Sequence, residues 1–189
     1  MGEKRLERRR MFFTLMGLLS GILSLALGGC ARREPIPVGF AGELTGRYSD
    51  LGVHGRDGAL LAVEMLNDAG GVAGRALELL VRDDLGTPQG AQAADRELID
   101  AGVVAIIGHM TSTQSMAALP VTEEAGMVLL ASTTATAELS GLDDFFFRVT
   151  STNAQQARLL AQRIYRRREL SRLAVIYDED NAAFTQTLW

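Results

Sequence analysis

Between residues 36 and 178 the chain falls repeatedly into short runs of unbroken apolar residues, among them VVAII (103–107) and LAVIY (173–177). Each run is separated from the next by a longer stretch, mostly with helical spacing. A strand that is apolar at every position must be covered on both faces. The connections are too long for hairpins, so consecutive strands run parallel through right-handed crossovers. Together these constraints predict an α/β fold with a doubly wound parallel sheet.

The individual elements follow from period and punctuation. IPVGFA (36–41) reads as a first strand. Residues 55–71 read as a helix on the spacing of Leu61, Met65 and Leu66, closed by Gly70 and Gly71. LELLVRDD (77–84) is a strand. Residues 87–102 are a helix, with Pro88 in the first turn and Gly102 at the end. A strand in VVAIIG (103–108) leads to a helix over 113–126, kinked or restarted near Pro120. MVLLAS (127–132) and FFFRV (145–149) are further strands, 153–170 a long helix, and LAVIYD (173–178) another buried strand.

The first 30 residues stand apart. MGEKRLERRR is a basic start, an apolar segment of signal-peptide type follows, and the stretch ends in LGGC at Cys30, the one cysteine of the chain. LGGC resembles the bacterial lipobox, which implies that Cys30 carries lipid and becomes the mature N-terminus. An uncleaved anchor or a free thiol are the other readings the residues allow. Residues 1–29 hold five of the 19 basic and two of the 23 acidic residues, so the remainder carries 14 and 21, a net charge of −7. Such a balance gives no footing for nucleic acid, and the arginines at 166–168 read as a solvated helix face. With a single cysteine, no internal disulfide can form.

Open parallel sheets bind ligands beyond the carboxyl ends of their strands. Three such ends are rich in small polar residues: GELTGRYS after the first strand, GHMTSTQ (108–114) and ASTTATAELS (131–140). Helix capping accounts for one hydroxyl per loop. Three loops on one edge supply more than capping uses, so a pocket for a small ligand is expected there. Helix N-terminal amides beside hydroxyls suit a carboxylate without a counter-cation. No phosphate-binding glycine motif is present. His54 and His109 lack metal-ligand spacing and read as solvent-facing or hydrogen-bonded, and Asp83-Asp84 reads as an acidic turn. Ser112, three residues from His109, does not sit in a G-x-S-x-G elbow, so no hydrolase is indicated.

The stretch IPVGFAGELTGRYSDLGVHGRDGALLAVEMLNDAGGVAGRALELLVRDD resembles the opening of the branched-chain amino-acid-binding family of type I periplasmic solute-binding proteins. The similarity continues through VVAIIGHMTSTQSMAALPVTEEAG and ASTTATAELSGLDDFFFRV to LAVIYDEDNAAF. The resemblance implies two α/β lobes around an interlobe cleft and service to an ABC importer. It implies a leader over 1–30, a linker over 31–35, a first lobe over 36–150, and a hinge with the incomplete start of a second lobe over 151–189. It places a ligand carboxylate near Ser112 and Thr113, with Thr133, Thr134 and Ala135 on the next loop. Phe184 resembles the aromatic that the second lobe lays over the cleft. Relatives often carry a hydroxyl where this chain has Ala135, and some an aromatic where it has Leu51. The implied ligand is a branched-chain-type amino acid or a related amide or carboxylate. The implied partners are an ABC permease and, through the lipid, a membrane, in an exported location. Neither cofactor, metal nor catalysis is implied. The alternative is a ligand-sensing module of a signalling receptor.

Overall fold

The computed structural model describes residues 33–167, 172 and 174–186. The leader, Cys30 and residues 168–170 of the expected long helix lie outside them.

Among the described residues five strands form one sheet: β1 (Ile36–Gly42), β2 (Leu77–Asp83), β3 (Ile106–Ile107), β4 (Leu129–Ala131) and β5 (Phe146–Arg148). The order is β2-β1-β3-β4-β5, and every neighbouring pair is parallel. In the same described residues four helices and a short turn connect or follow them: α1 (Ser49–Asp68), α2 (Pro88–Asp100), α3 (Ser112–Glu124), the 3-10 turn Ala137–Leu139 and α4 (Asn153–Arg166). A single-turn helix, α5 (Ala182–Thr185), packs against α3.

The sheet is covered on both sides, as unbroken apolar strands require. Phe40 and Met110 pack with Ala59 of α1 on one face, joined by Ile107. On the other face Ala41, Ile106, Leu129 and Phe146 pack with Ala94 and Leu98 of α2. Phe40 and Ala41 are adjacent and both fully buried, which is the two-sided burial of an interior strand.

Local chemistry explains most boundaries. Thr87 caps α2 by accepting from the Gly90 amide at 3.0 Å, and Pro88 occupies the first turn. Thr152 and Gln155 form a capping box on α4. Pro120 lies inside α3, which runs through it without a restart.

Three expectations need correction. Helix α1 starts at Ser49, six residues ahead of the expected 55, and its buried face is Gly52, Ala59 and Val63. Leu61, Met65 and Leu66, whose spacing predicted the helix, face outward. Small residues let α1 lie close to the sheet: a methyl group on Gly52 would collide with the Glu43 carbonyl. The strand expected at 103–108 shortens to Ile106–Ile107. Finally, residues 174–178 of the expected strand LAVIYD form none, and Ile176 is 97% exposed. A strand exists through pairing with a neighbour, and among the described residues no strand pairs with this segment.

Candidate functional site

The strand order places the site. Strand β2 lies on one side of β1 and β3 on the other, so the winding reverses between β1 and β3. The loops leaving these two strands diverge to opposite faces and leave a crevice at their carboxyl ends.

The loops around that crevice are tied to one another. The Leu44 amide and Thr45 hydroxyl, beyond β1, donate to the Asp83 carboxylate at the end of β2, at 2.9 and 2.6 Å. Burial opposes ionisation of Asp83, but hydrogen bonds from Thr45 and from the Leu44 and Leu85 amides outweigh it and hold the group below the usual carboxylate range. Glu43, itself buried, accepts from the Tyr48 amide at 2.9 Å.

Beyond β3, residues 109–115 are joined to residues 133–136 beyond β4. Thr133 donates to the Met110 carbonyl at 2.6 Å. The Thr134 and Ser115 hydroxyls lie 2.6 Å apart and between them serve the carbonyls of His109 and Thr111. The Ser112 hydroxyl accepts from the Ala135 and Thr136 amides, both at 3.3 Å.

The residues expected at a ligand site are therefore gathered on one rim, with different roles. Ser112, Thr134 and Ala135 are buried, and Thr133 is exposed. Thr113 approaches Asn181 through its amide at 3.4 Å and its hydroxyl at 3.5 Å. Half-buried Phe184 of α5 accepts at its carbonyl from the Asn153 side chain at 2.8 Å.

The start of α3 differs from that of α2. Thr111 holds the N-cap position with extended backbone, yet its side chain caps nothing. Its buried hydroxyl, and the buried Gln114 Oε1, find no hydrogen-bond partner. The first amides of a helix have no intrahelical acceptor. Here, apart from the long 3.4 Å contact of the Thr113 amide with Asn181, they meet an unspent hydroxyl in place of a cap, an arrangement able to receive an anionic oxygen.

Several neighbours carry no signal in the sequence. The Tyr48 hydroxyl donates to Asp178, and Arg47 reaches Asp180 at 2.6 Å and Asp178 at 3.7 Å. The hydrogen bond to Asp178 pushes the Tyr48 phenol up to about 12 and draws the Asp178 carboxyl down. His109 is hydrogen-bonded, one of its two expected readings. Its ring is fully buried, with Nδ1 2.7 Å from Asp84 and Nε2 3.2 Å from Asp95. With both ring nitrogens held by carboxylates, His109 makes no hydrogen bond to Ser112. Only the pairing of Asp83-Asp84 as an acidic turn hinted at this cluster. Among the described residues no group of three or more His, Cys, Asp or Glu side chains could hold a metal ion.

Known proteins resemble this chain in sequence and in fold. The periplasmic binding protein family model matches residues 35–188. A leucine-, isoleucine-, valine-, threonine- and alanine-binding protein of Pseudomonas aeruginosa is 28% identical over 179 residues, 94% of this chain and 46% of the relative. The isoleucine-bound branched-chain amino acid transporter substrate-binding protein of Streptococcus pneumoniae superposes with a TM-score of 0.66 at 27% identity, covering 69% of this chain and 38% of that one. A leucine-binding protein of Thermotoga maritima shares the fold with a TM-score of 0.71 at 22% identity, over 81% of this chain and 44% of that one. The chain thus spans about half the length of the curated relatives it matches. A parallel sheet wound in this order, hydroxyl-bearing loops at its reversal point and a family match across nearly all of the described residues identify the chain as a member of the periplasmic binding protein family.

Proposed function

We propose that this protein is the extracytoplasmic ligand-capturing component of an ABC importer, tethered by lipid at Cys30 and specific for a branched-chain-type amino acid or a related amide or carboxylate. The observation that carries the reading is the start of α3 at the reversal point of the sheet, which its own N-cap residue Thr111 leaves uncapped. The ligand carboxylate accepts from the Ser112 and Thr113 amides and hydroxyls, the Thr113 groups exchanging their long contacts with Asn181 for the ligand, while Thr133, Thr134 and Ala135 wall the second loop. Ser112 fits this role because its hydroxyl accepts from two amides and keeps its own proton to donate. Phe184 covers the ligand from the 151–189 side. The segment from Arg148 to Asn153 is the hinge: Asn153 is buried and its amide donates to the Ala135 carbonyl at 2.7 Å, so closure is mechanically joined to the binding loop.

Calorimetric titration of the protein expressed from its complete reading frame should give saturable heat with leucine, isoleucine or valine. Silence across amino acids, amides and short carboxylates would overturn the assignment. Ser112→Ala is expected to weaken binding by about 1–3 kcal/mol, because it leaves the carboxylate and two buried amides short of a partner.

The tether has its own test. Cys30→Ser is expected to move the protein from the membrane to the soluble fraction and to abolish fatty-acid labelling. Unchanged membrane retention would favour an uncleaved apolar segment instead.

A further inference from the structure

Asp84, Asp95 and His109 have no contact role in the reading above, yet all three are almost completely buried. An ionised carboxylate only accepts hydrogen bonds, whereas a neutral imidazole donates from one nitrogen alone. A ring whose two nitrogens each face a carboxylate is satisfied on both sides only as imidazolium. Asp84 comes from the end of β2, Asp95 from the middle of α2 and His109 from the exit of β3, so one cation joins three elements. Asp84 also accepts from the Gly86 amide at 2.9 Å. Asp95 Oδ2 has no partner. Among the described residues neither carboxylate pairs with a lysine or arginine, and the nearby Asp83 and Glu43 are turned to Leu44, Thr45, Leu85 and Tyr48. The ring is thus the only positive group in the cluster.

The main chain attached to that ring is the binding rim. The His109 carbonyl takes the Thr134 hydroxyl, the next carbonyl takes Thr133, and Thr111 opens α3. We propose that His109 is a positioning residue for ligand capture: clamped as a cation between Asp84 and Asp95, it fixes residues 109–112 where the start of α3 meets the ligand. The proposal rests on the binding function above. Burial disfavours the charged ring, but the hydrogen bonds to Asp84 and Asp95 outweigh it and raise its pKa to about 9. With a folded value above the ordinary 6.5, the clamp is complete below that pH and is lost as pH rises through about 9.

The test has one arm without ligand and one with it. In the first, nitrogen-resolved NMR should show both ring nitrogens of His109 protonated at pH 7. Hydrogen exchange of His109→Gln should then show protection lost over 109–115 and 133–136 while β1 and β2 keep theirs. In the second, His109→Gln should bind L-leucine roughly tenfold more weakly than the parent, the scale of residues that act on a site without touching ligand. A neutral ring at pH 7, exchange raised evenly over the lobe, or unchanged leucine affinity in the variant would each overturn the proposal. If the parent itself binds no amino acid, the functional assignment fails while the first arm still decides the clamp. Should His109→Gln not fold, Asp95→Asn takes its place: the ring should lose its second proton at lower pH and the same two segments should open, and an unmoved ring titration would refute the clamp.

Discussion

Asp84→Ala is expected to remove about 3–5 kcal/mol of folding stability, because breaking a buried ion pair leaves the surviving charge without its counterpart. Three losses coincide. The His109 ring keeps only Asp95, at the longer distance of 3.2 Å, the Gly86 amide loses its acceptor, and the end of β2 is no longer joined to the exit of β3. A domain is stable by about 5–15 kcal/mol, so the variant should unfold at a much lower urea concentration. The exposed pair between Arg82 and Glu97 provides the contrast. Its 2.7 Å separation is as short, but the Glu97 side chain is 62% exposed, so Glu97→Ala should cost at most about 1 kcal/mol. The parent should also lose stability as pH rises through about 9, where the ring discharges, and Asp84→Ala should show a shallower loss over that window. Equal effects of the two substitutions in urea titrations would show that the buried cluster contributes no more than a surface pair.

Phe40→Ala should be comparably severe, about 3–5 kcal/mol, from lost transfer energy and the cavity left behind. Phe40 is fully buried on β1, in the cluster it forms with Ala59 of α1 and Met110, and Leu44, Leu79, Val81 and Ile107 pack around it. A collapse toward the missing ring would have to draw in Met110, whose carbonyl anchors Thr133. Stability and ligand affinity should therefore fall together. Phe40→Leu, which keeps most of the volume, should lose clearly less than Phe40→Ala. A Phe40→Ala variant within about 1 kcal/mol of the parent by denaturant unfolding would mean this face is not closely packed.

The parallel architecture was legible because VVAII, IPVGFA and LELLV are continuous apolar runs, and because Thr87-Pro88 marks a helix start chemically. The outward leucines of α1 misled the reading of its buried face, since close approach is made by Gly52 and Ala59, residues that contribute little to any hydrophobic pattern. LAVIYD has the composition of a strand, but composition cannot supply the neighbour that a strand pairs with. At the rim, the hydroxyl-rich loops were visible as sequence, whereas the division of labour among them was not. Which hydroxyl joins loops and which faces outward depends on pairings such as Ser115 with Thr134, 19 residues apart. The clamp was hidden for the same reason: Asp84, Asp95 and His109 belong to three elements that only the crossover at α2 brings together.

The position of β1 also has a kinetic consequence. Among the described residues it is the first strand made, yet it is sandwiched between β2 and β3, and Gly39 waits for Ile106 before its second edge is paired. Loop closure over such separations must precede the contacts that reward it, so chains of high contact order fold in milliseconds to seconds rather than microseconds. A nascent polypeptide of this kind leaves this interior strand half-paired until Ile106, 67 residues after Gly39, has followed it, and its open edge is exposed to other strands for that long.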